Sequence, residues 1–195
     1  MVFLDVADVG IIVGLLLGGS FAALAEIRIK CMWLAFGAIG LQLIAFPSDL
    51  LPWSTPSSVA RVLWAVSYVL LVGMLILNRR LVGTPLIAAG LACNVIAIGA
   101  NGGLMPVEGA ALRAARKSYH LHNNSIQLAK PHLSALVDRW AAPTWLPFSN
   151  VFSVGDILIA LGTLVVIIAA MRRPVRSGFQ TRRPRRRSSR LALRF

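Results

Sequence analysis

Long apolar runs separated by short polar turns constrain this chain more than any other feature of its sequence. An α-helix needs about 20 apolar residues to cross the hydrocarbon core of a bilayer. Hydrophobic residues make up 57% of the chain and its mean hydropathy is +0.73, whereas soluble domains are usually about 45–50% apolar. The sequence therefore predicts an all-α integral membrane helical bundle with five transmembrane helices. We place these spans at about 9–25, 31–46, 59–77, 82–100 and 154–171.

The positions of lysine and arginine predict how these helices are oriented. Short cytoplasmic loops are enriched in Lys and Arg, and this asymmetry sets the topology of a membrane protein. The turns at 28–30 and 79–80 are basic, whereas residues 1–8 and 47–58 contain no Lys or Arg. We therefore expect a multi-pass protein of the cell membrane with its N-terminus outside and its C-terminus in the cytoplasm.

Most of the positive charge lies at the end of the chain. The net charge is +13, but ten arginines lie between Arg172 and Arg194 without an acidic residue, so the ten other basic residues minus seven acidic ones leave +3. A basic nucleic-acid-binding domain is thus disfavoured, and no specific nucleic acid is expected. We divide the chain into a membrane domain, 1–171, and a disordered cytoplasmic tail, 172–195, that contacts anionic lipid. The residues assigned to this contact are Arg172, Arg173, Arg176, Arg182, Arg183, Arg185, Arg186 and Arg187.

A motif at residues 101–107, Asn-Gly-Gly-Leu-Met-Pro-Val, ends the fourth apolar run. Gly102 and Gly103 can adopt the left-handed backbone conformation that stops a helix, and Pro106 prevents an immediate restart. Asn101 is expected to cap the helix end, with a place at the mouth of a pocket as the alternative. This motif predicts a specialised turn without specifying a reaction.

The polar insert at 108–150 is predicted to lie outside the membrane and to pack as short helices, at about 109–119 and 131–140. A metal set can be written from His120, His122, His132 and Asp138. An H-x-H pair with a distant histidine does not predict the closed tetrahedral geometry of a zinc site, so we interpret these histidines as surface residues. No metal or cofactor is expected, and no catalytic motif is recognised.

Polar residues at the last two helices define a candidate site. Asn94 is expected to hydrogen-bond across helices, with a ligand-facing role as the alternative. Ser153 is predicted to be the N-cap of the last helix, supported by Asp156 in its first turn. A proton, cation or substrate role for Asp156 is the alternative. The candidate functional or structural polar site comprises Asn94, Asn101, Gly102, Gly103, Met105, Pro106, Ser153 and Asp156.

Because the insert leaves and returns on one membrane face, we expect Asp156 to lie close to the backbone amides of the turn at 101–107. Elsewhere, Gly10, Gly14 and Gly18 form a row of small residues suited to close helix packing. Two cysteines in apolar runs, Cys31 and Cys93, are interpreted as packing residues, because a disulfide framework needs more cysteines in a small secreted chain.

Asn94 with the motif at 101–107, followed by Phe-Ser-Val-Gly-Asp-Ile at 152–157, resembles a family of small bacterial multi-pass membrane proteins of unknown function. The resemblance covers most of residues 1–171 and excludes the arginine tail. It implies a multi-pass membrane fold, and it implies no known reaction, substrate or cofactor.

The leading hypothesis is a non-enzymatic structural or accessory component of the cell membrane, because the sequence shows no catalytic motif and little charge within the spans. The alternative is a small-solute or lipid-handling protein with a polar site near Asn94, Asn101 and Asp156. An intramembrane enzyme is the third hypothesis. The expected partners are the lipid bilayer and anionic lipid at its cytoplasmic surface, and a membrane-protein partner is compatible with the sequence.

Overall fold

Helices dominate the structure, a computed structural model that describes residues 2–46, 54–115, 125–143 and 151–174. The helical class predicted from the apolar runs is confirmed. The helices are α1 (Val2–Leu16), α2 (Phe21–Ala25), α3 (Trp33–Ala45), α4 (Ser57–Leu77), α5 (Thr84–Ala100), α6 (Gly109–Ala114) and α7 (Val154–Met171).

Two of these helices, α4 and α7, are long and apolar enough to cross a membrane by length and composition. The apolar part of α1, together with α3 and α5, is shorter. At 1.5 Å per residue, the 13 residues of α3 extend about 20 Å, against a hydrocarbon core of about 30 Å. Of the five predicted spans, two are thus matched by full-length apolar helices within the described residues.

The first predicted run, 9–25, is not one continuous helix. It is divided between α1 and α2 by a turn in which Gly18 has a φ angle of 79°. Ser20 then starts α2, because its side chain accepts a hydrogen bond from the amide of Ala23 at 3.2 Å. The span at 9–25 was predicted as one helix because the residues on both sides of the turn are apolar. Hydropathy does not distinguish a turn from a helix within an apolar run.

The segment between α5 and α7 contains short strands as well as helix, which the all-α prediction did not include. Strand β1 (Met105–Pro106) pairs in parallel with β2 (Ser125–Ile126). Strand β3 (Trp140–Ala141) pairs antiparallel with β4 (Val151–Phe152) directly before α7. These strands connect the end of α5 to the start of α7.

The two helices predicted for the insert have different outcomes. The first is confirmed as α6, and residues 116–119 of its predicted range lie outside the described residues. The second, at 131–140, is wrong, because only a 3-10 turn at Ser134–Leu136 is formed. Leu133 before this turn has a φ angle of 53°, and Asp138 after it forms a parallel bridge with Val107. A left-handed residue and a strand pairing are both incompatible with a continuous helix.

Helix α7 is the centre of the packing. Its first half contacts α5, where Gly155 opposes Gly90 and Gly162 opposes Gly83. Residue numbers rise along one helix as they fall along the other, so α5 and α7 are antiparallel. The second half of α7 packs beside α1. In that contact Gly10 meets Ile167 and Gly14 meets Met171, which confirms close packing for these two members of the predicted glycine row.

Helices α3 and α4 form a second pair, which contacts α5 near the turn that follows α5. A buried apolar cluster there contains Trp64 of α4, Ala97 and Ile98 of α5, and Met105. Phe46, Tyr68 and Leu136 pack against it. Apart from this cluster, α4 and α5 touch at few points.

Candidate functional site

Asn94, Ser153 and Asp156 form a hydrogen-bonded group that joins α5 to the start of α7, and we refer to it as the polar clasp. The Asn94 Nδ2 atom donates to Asp156 Oδ1 at 2.9 Å, and the Ser153 hydroxyl lies 3.0 Å from Asn94 Oδ1. Ser153 is fully buried and Asn94 is 7% exposed. The interhelical hydrogen bonding predicted for Asn94 is therefore confirmed, and its partners lie 62 and 59 positions away along the chain.

The same clasp begins α7. The Ser153 amide donates to Asp156 Oδ2 at 3.0 Å, and the Asp156 amide donates to Ser153 Oγ at 3.2 Å. This reciprocal arrangement is a capping box, which satisfies two amides that a helix start leaves without intrahelical partners. The predicted N-cap role of Ser153 and the supporting role of Asp156 are confirmed.

A close approach of α5 and α7 makes the clasp possible. A Cβ atom added to Gly155 would overlap the side-chain oxygen of Asn94 and lie 2.7 Å from the carbonyl oxygen of Gly90. Only glycine at this position lets the two backbones come near enough for Asn94 to reach Asp156. The spacing of Gly83 from Gly90 equals that of Gly155 from Gly162, a pattern that is visible in the sequence but that hydropathy does not reveal.

Asn101 ends α5 and also holds the insert. Its Nδ2 atom donates to the carbonyl oxygens of Ala97 at 2.8 Å and His132 at 2.9 Å. The His132 amide donates back to Asn101 Oδ1 at 2.8 Å. The predicted capping role is confirmed, and the two-way pairing with His132 adds a contact to a residue 31 positions away.

The rest of the motif forms the turn that the sequence predicted. Gly102 and Gly103 have φ angles of 75° and 90°, which are left-handed values that glycine adopts without strain. Met105 is 5% exposed in the apolar cluster, and Pro106 is fully buried. These side chains anchor the turn against α4 and α5 instead of facing an open cavity.

The hydrogen bonds of Asp156 differ from those expected for it. Its carboxylate accepts from Asn94 and Ser153, while the amides of Gly103 and Val107 donate to the carbonyls of Ile98 and Ile126. Those two amides already have hydrogen-bond acceptors in the backbone, so they do not need the Asp156 carboxylate as an acceptor. Proximity of Asp156 to the turn as a whole stays a prediction.

Asp138 is a functional candidate that the sequence analysis considered only as part of the rejected metal set. It is 8% exposed, and its Oδ1 atom has no hydrogen-bond partner among the described residues. Burial, and then the negative charge of Asp156, raise the pKa of the Asp138 carboxyl to about 8. Asp138 is therefore predominantly protonated at neutral pH. No local pattern predicted its burial, which follows from the pairing of its backbone with Pro106 and Glu108.

Of the four residues in the rejected metal set, the structure describes two, His132 and Asp138. His120 and His122 lie outside the described residues, while His132 contacts Asn101 through its backbone. Within the described parts of the chain, no three His, Cys, Asp or Glu side chains are grouped to hold a metal ion.

The arginine tail is described only at its beginning. Arg172 and Arg173 are exposed just after α7. The other arginines assigned to lipid contact, from Arg176 onward, lie outside the described residues, so their role stays a prediction.

These features define a mostly helical protein with two helices able to span a membrane and a polar clasp between α5 and α7. The chain belongs to DUF5317, a family of unknown function whose model matches residues 26–168. It is similar to an uncharacterized protein of Thermotoga maritima, with 30% identity over 139 residues that cover 66% of this chain and 74% of that protein. No solved structure matches the chain. The resemblance to a family of unknown function is confirmed.

Proposed function

We propose that this protein is a non-enzymatic structural or accessory component of the cell membrane. The proposal is supported first by the surface of its helices. Only 22% of the apolar window of α4, and the same share of α7, is buried within the protein. Large side chains such as Trp33, Phe36 and Val69 are 67–69% exposed. Lipid contact stabilises an exposed apolar surface of this extent, which a soluble monomer rarely has.

The observation that carries the proposal is that the polar clasp is hydrogen-bonded within itself. Each side-chain oxygen or nitrogen of Asn94, Ser153 and Asp156 has a partner inside the group. A ligand would have to replace these bonds, whereas helix packing already uses them. The clasp therefore supports a role in holding α5 and the start of α7 in one arrangement.

The orientation that we propose is multi-pass, with the N-terminus and the insert outside and the tail in the cytoplasm. It is supported by the basic turns at 28–30 and 79–80, which the structure joins through a buried asparagine. The Lys30 amide donates to Asn78 Oδ1 at 2.8 Å, and Asn78 Nδ2 donates to the Lys30 carbonyl at 2.9 Å. Two basic turns thus lie side by side, which agrees with the proposed topology because it puts both turns at the cytoplasmic face of the membrane.

A double-mutant cycle tests the structural role of the clasp. Asn94→Ala, Asp156→Ala and the double variant are compared with the wild type by reversible SDS unfolding in mixed micelles. We expect a coupling free energy of about 1–2 kcal/mol, because contacting groups in one hydrogen-bond network interact on this scale. A matched cycle of Asn94→Ala with Gln42→Ala should give coupling near zero, since Gln42 donates to Ser67 in a different helix pair. Additivity of Asn94→Ala and Asp156→Ala would contradict the proposal.

A second candidate function, a small-solute or ion-handling role, is favoured by a side-chain oxygen of Asp138 that has no hydrogen-bond partner among the residues that the structure describes. Asp138 lies two positions after Leu136, which packs with Tyr68 of α4 against the apolar cluster around Met105. Thermal stability measured with and without added sodium or magnesium separates the two functions. A cation-dependent rise in Tm that Asp138→Asn abolishes would support the second; equal responses of both proteins would support the first.

A further inference from the structure

An apolar groove runs between α4 and α5 on the side of the turn that joins them. Its volume is about 540 Å³, within the range of about 300–1,000 Å³ for small-molecule sites. The groove exists because α4 and α5 touch at few points away from the cluster around Met105. Its walls include Leu75 and Ile76 of α4, and Ala88, Leu91 and Ala92 of α5.

The polar side chains of the groove lie at one end. Thr84 is buried, and its hydroxyl donates to the carbonyl of Asn78 at 3.1 Å, so it is used in the turn itself. Arg79 is exposed, and the structure gives its guanidinium no ion pair within the part of the chain that it describes. The groove is therefore lined by apolar side chains, and the positively charged side chain among its lining residues is that of Arg79, at one end.

More positive charge surrounds that end. Asn78 holds the backbone of Lys30 beside the α4–α5 turn through two hydrogen bonds. The side chains of Arg28, Lys30 and Arg80 are exposed. An anionic group near Arg79 would thus enter a local positive field, and anionic lipids of the cytoplasmic leaflet are attracted to such clusters.

We propose that the groove binds one acyl chain of an anionic glycerophospholipid, with the lipid phosphate on Arg79. The inference rests on the membrane location in the proposed function and adds a specific ligand to it. An apolar wall offers no hydrogen-bond partners to a sugar or a peptide, whereas it matches a hydrocarbon chain. The guanidinium group of an arginine binds a phosphate through two parallel, charge-assisted hydrogen bonds. A neutral side chain at the end of the groove would not provide them.

The charge in this proposal is tested by native mass spectrometry of the full chain in detergent, with added dioleoylphosphatidylglycerol or dioleoylphosphatidylcholine. We expect the wild type to retain phosphatidylglycerol preferentially. Arg79→Gln should weaken its binding about five-fold, the effect of one basic residue near a charged headgroup. Arg80→Gln is the matched control, since Arg80 is adjacent and exposed but does not line the groove. Equal effects of the two changes would overturn the proposed position of the phosphate.

The position of the acyl chain is tested by filling the groove. Ala92→Leu adds bulk to its wall, whereas Ala89→Leu adds the same bulk to an exposed face of α5 outside it. We expect lipid retention to fall for Ala92→Leu alone, with Tm unchanged in both variants. Unchanged retention would overturn the proposal, and so would a dimer mass lost only in Ala92→Leu, which would assign the groove to a second copy. Extraction of the wild type from membranes by alkaline carbonate would instead contradict the proposed membrane location, independently of either result.

Discussion

Single polar side chains hold this protein's helices in place, and each does so through partners distant in sequence. Asn94 pairs with Asp156, Asn101 with His132, and Asn78 with Lys30. An asparagine amide both donates and accepts, so one side chain can satisfy two groups on another segment. Such pairs stabilise a low-dielectric helical bundle, because separating them would leave a buried polar group without a hydrogen-bond partner, which is destabilising.

Replacing Asp156 by Asn should destabilise the protein. The amide has one oxygen where the carboxylate has two, so Asn94 or Ser153 loses an acceptor. We expect a loss of about 1–3 kcal/mol, typical of a buried group left without its partner, and a lower Tm in nanodiscs. Asp8→Asn, at an exposed carboxylate in α1, should change stability by less than about 0.5 kcal/mol. A Tm equal to that of the control would contradict this role of the carboxylate.

Asp138 should make stability depend on pH. The pKa of the Asp138 carboxyl is about 8 in the folded protein, against its ordinary value of 3.8, so the folded state binds more protons between about pH 4 and 8. The free energy of unfolding then falls as pH rises through this interval, by up to about 1.4 kcal/mol per pH unit. The stabilising contribution is fully present below pH 4, and the decline levels off above pH 8.

The measurement is Tm from pH 5 to 9 for the wild type and Asp138→Asn. The variant stays neutral at every pH, so its Tm should show a clearly flatter decline. Glu108→Gln is the control, because Glu108 is partly exposed and forms an ion pair with Arg139 at 3.6 Å. A wild-type slope retained in Asp138→Asn would show that another group produces it.

Capping and turn preferences predicted the local roles of Asn101, Gly102 and Ser153, each of which involves residues a few positions away. The interhelical hydrogen bonding of Asn94 was predicted from its polar side chain in an apolar run. The sequence placed Asn94 and Asp156 in one candidate site but did not predict their direct hydrogen bond, because it depends on the close packing of α5 on α7. Burial of Asp138 follows from its isolated backbone bridge to Val107, and such a bridge has no sequence signature of its own.

At the scale of elements, the close contact of α5 and α7 depends on paired glycines. Gly155 lies against Asn94 and Gly90, and Gly162 lies against Ile87 and Gly83. In lipid, helices associate through van der Waals packing and hydrogen bonds, which small residues favour by letting backbones approach. Hydropathy located the helices themselves, but it missed the turn at Gly18, which lies within an apolar run. In the polar insert, sequence reasoning predicted a helix at 131–140 where only a 3-10 turn forms.

Two glycine-to-alanine substitutions should change the free energy of unfolding in opposite directions. Gly155→Ala puts a methyl group onto the side chain of Asn94, so we expect a loss of about 1–3 kcal/mol from overpacking and a broken clasp. Gly99→Ala adds a methyl group in α5 where no atom lies within 4 Å. It should stabilise the helix by about 0.5–1 kcal/mol, because alanine loses less backbone entropy than glycine. SDS unfolding of both variants in mixed micelles measures the difference; equal effects would contradict the close contact.

At the scale of the whole molecule, we propose a helical bundle in the membrane with basic turns on one side and the motif turn with its insert on the other. The sequence supports this orientation through its Lys and Arg positions, and the structure joins the turns at 28–30 and 78–80. The insert follows α5 and precedes α7, whose adjoining ends meet at the clasp. Helix lengths alone leave the number of spans open, because α3 and α5 are shorter than a full crossing.

Cysteine labelling in intact cells tests this arrangement most directly. In a variant with Cys31 and Cys93 replaced by alanine, single cysteines are introduced at Ser58 in the first turn of α4, at Ser134 in the insert, or at Ser188 in the tail. A membrane-impermeant maleimide should label the first two, which lie at exposed positions, and should reach Ser188→Cys only after the cells are opened. Labelling of Ser188→Cys in intact cells, with protection of Ser134→Cys, would contradict the proposed topology.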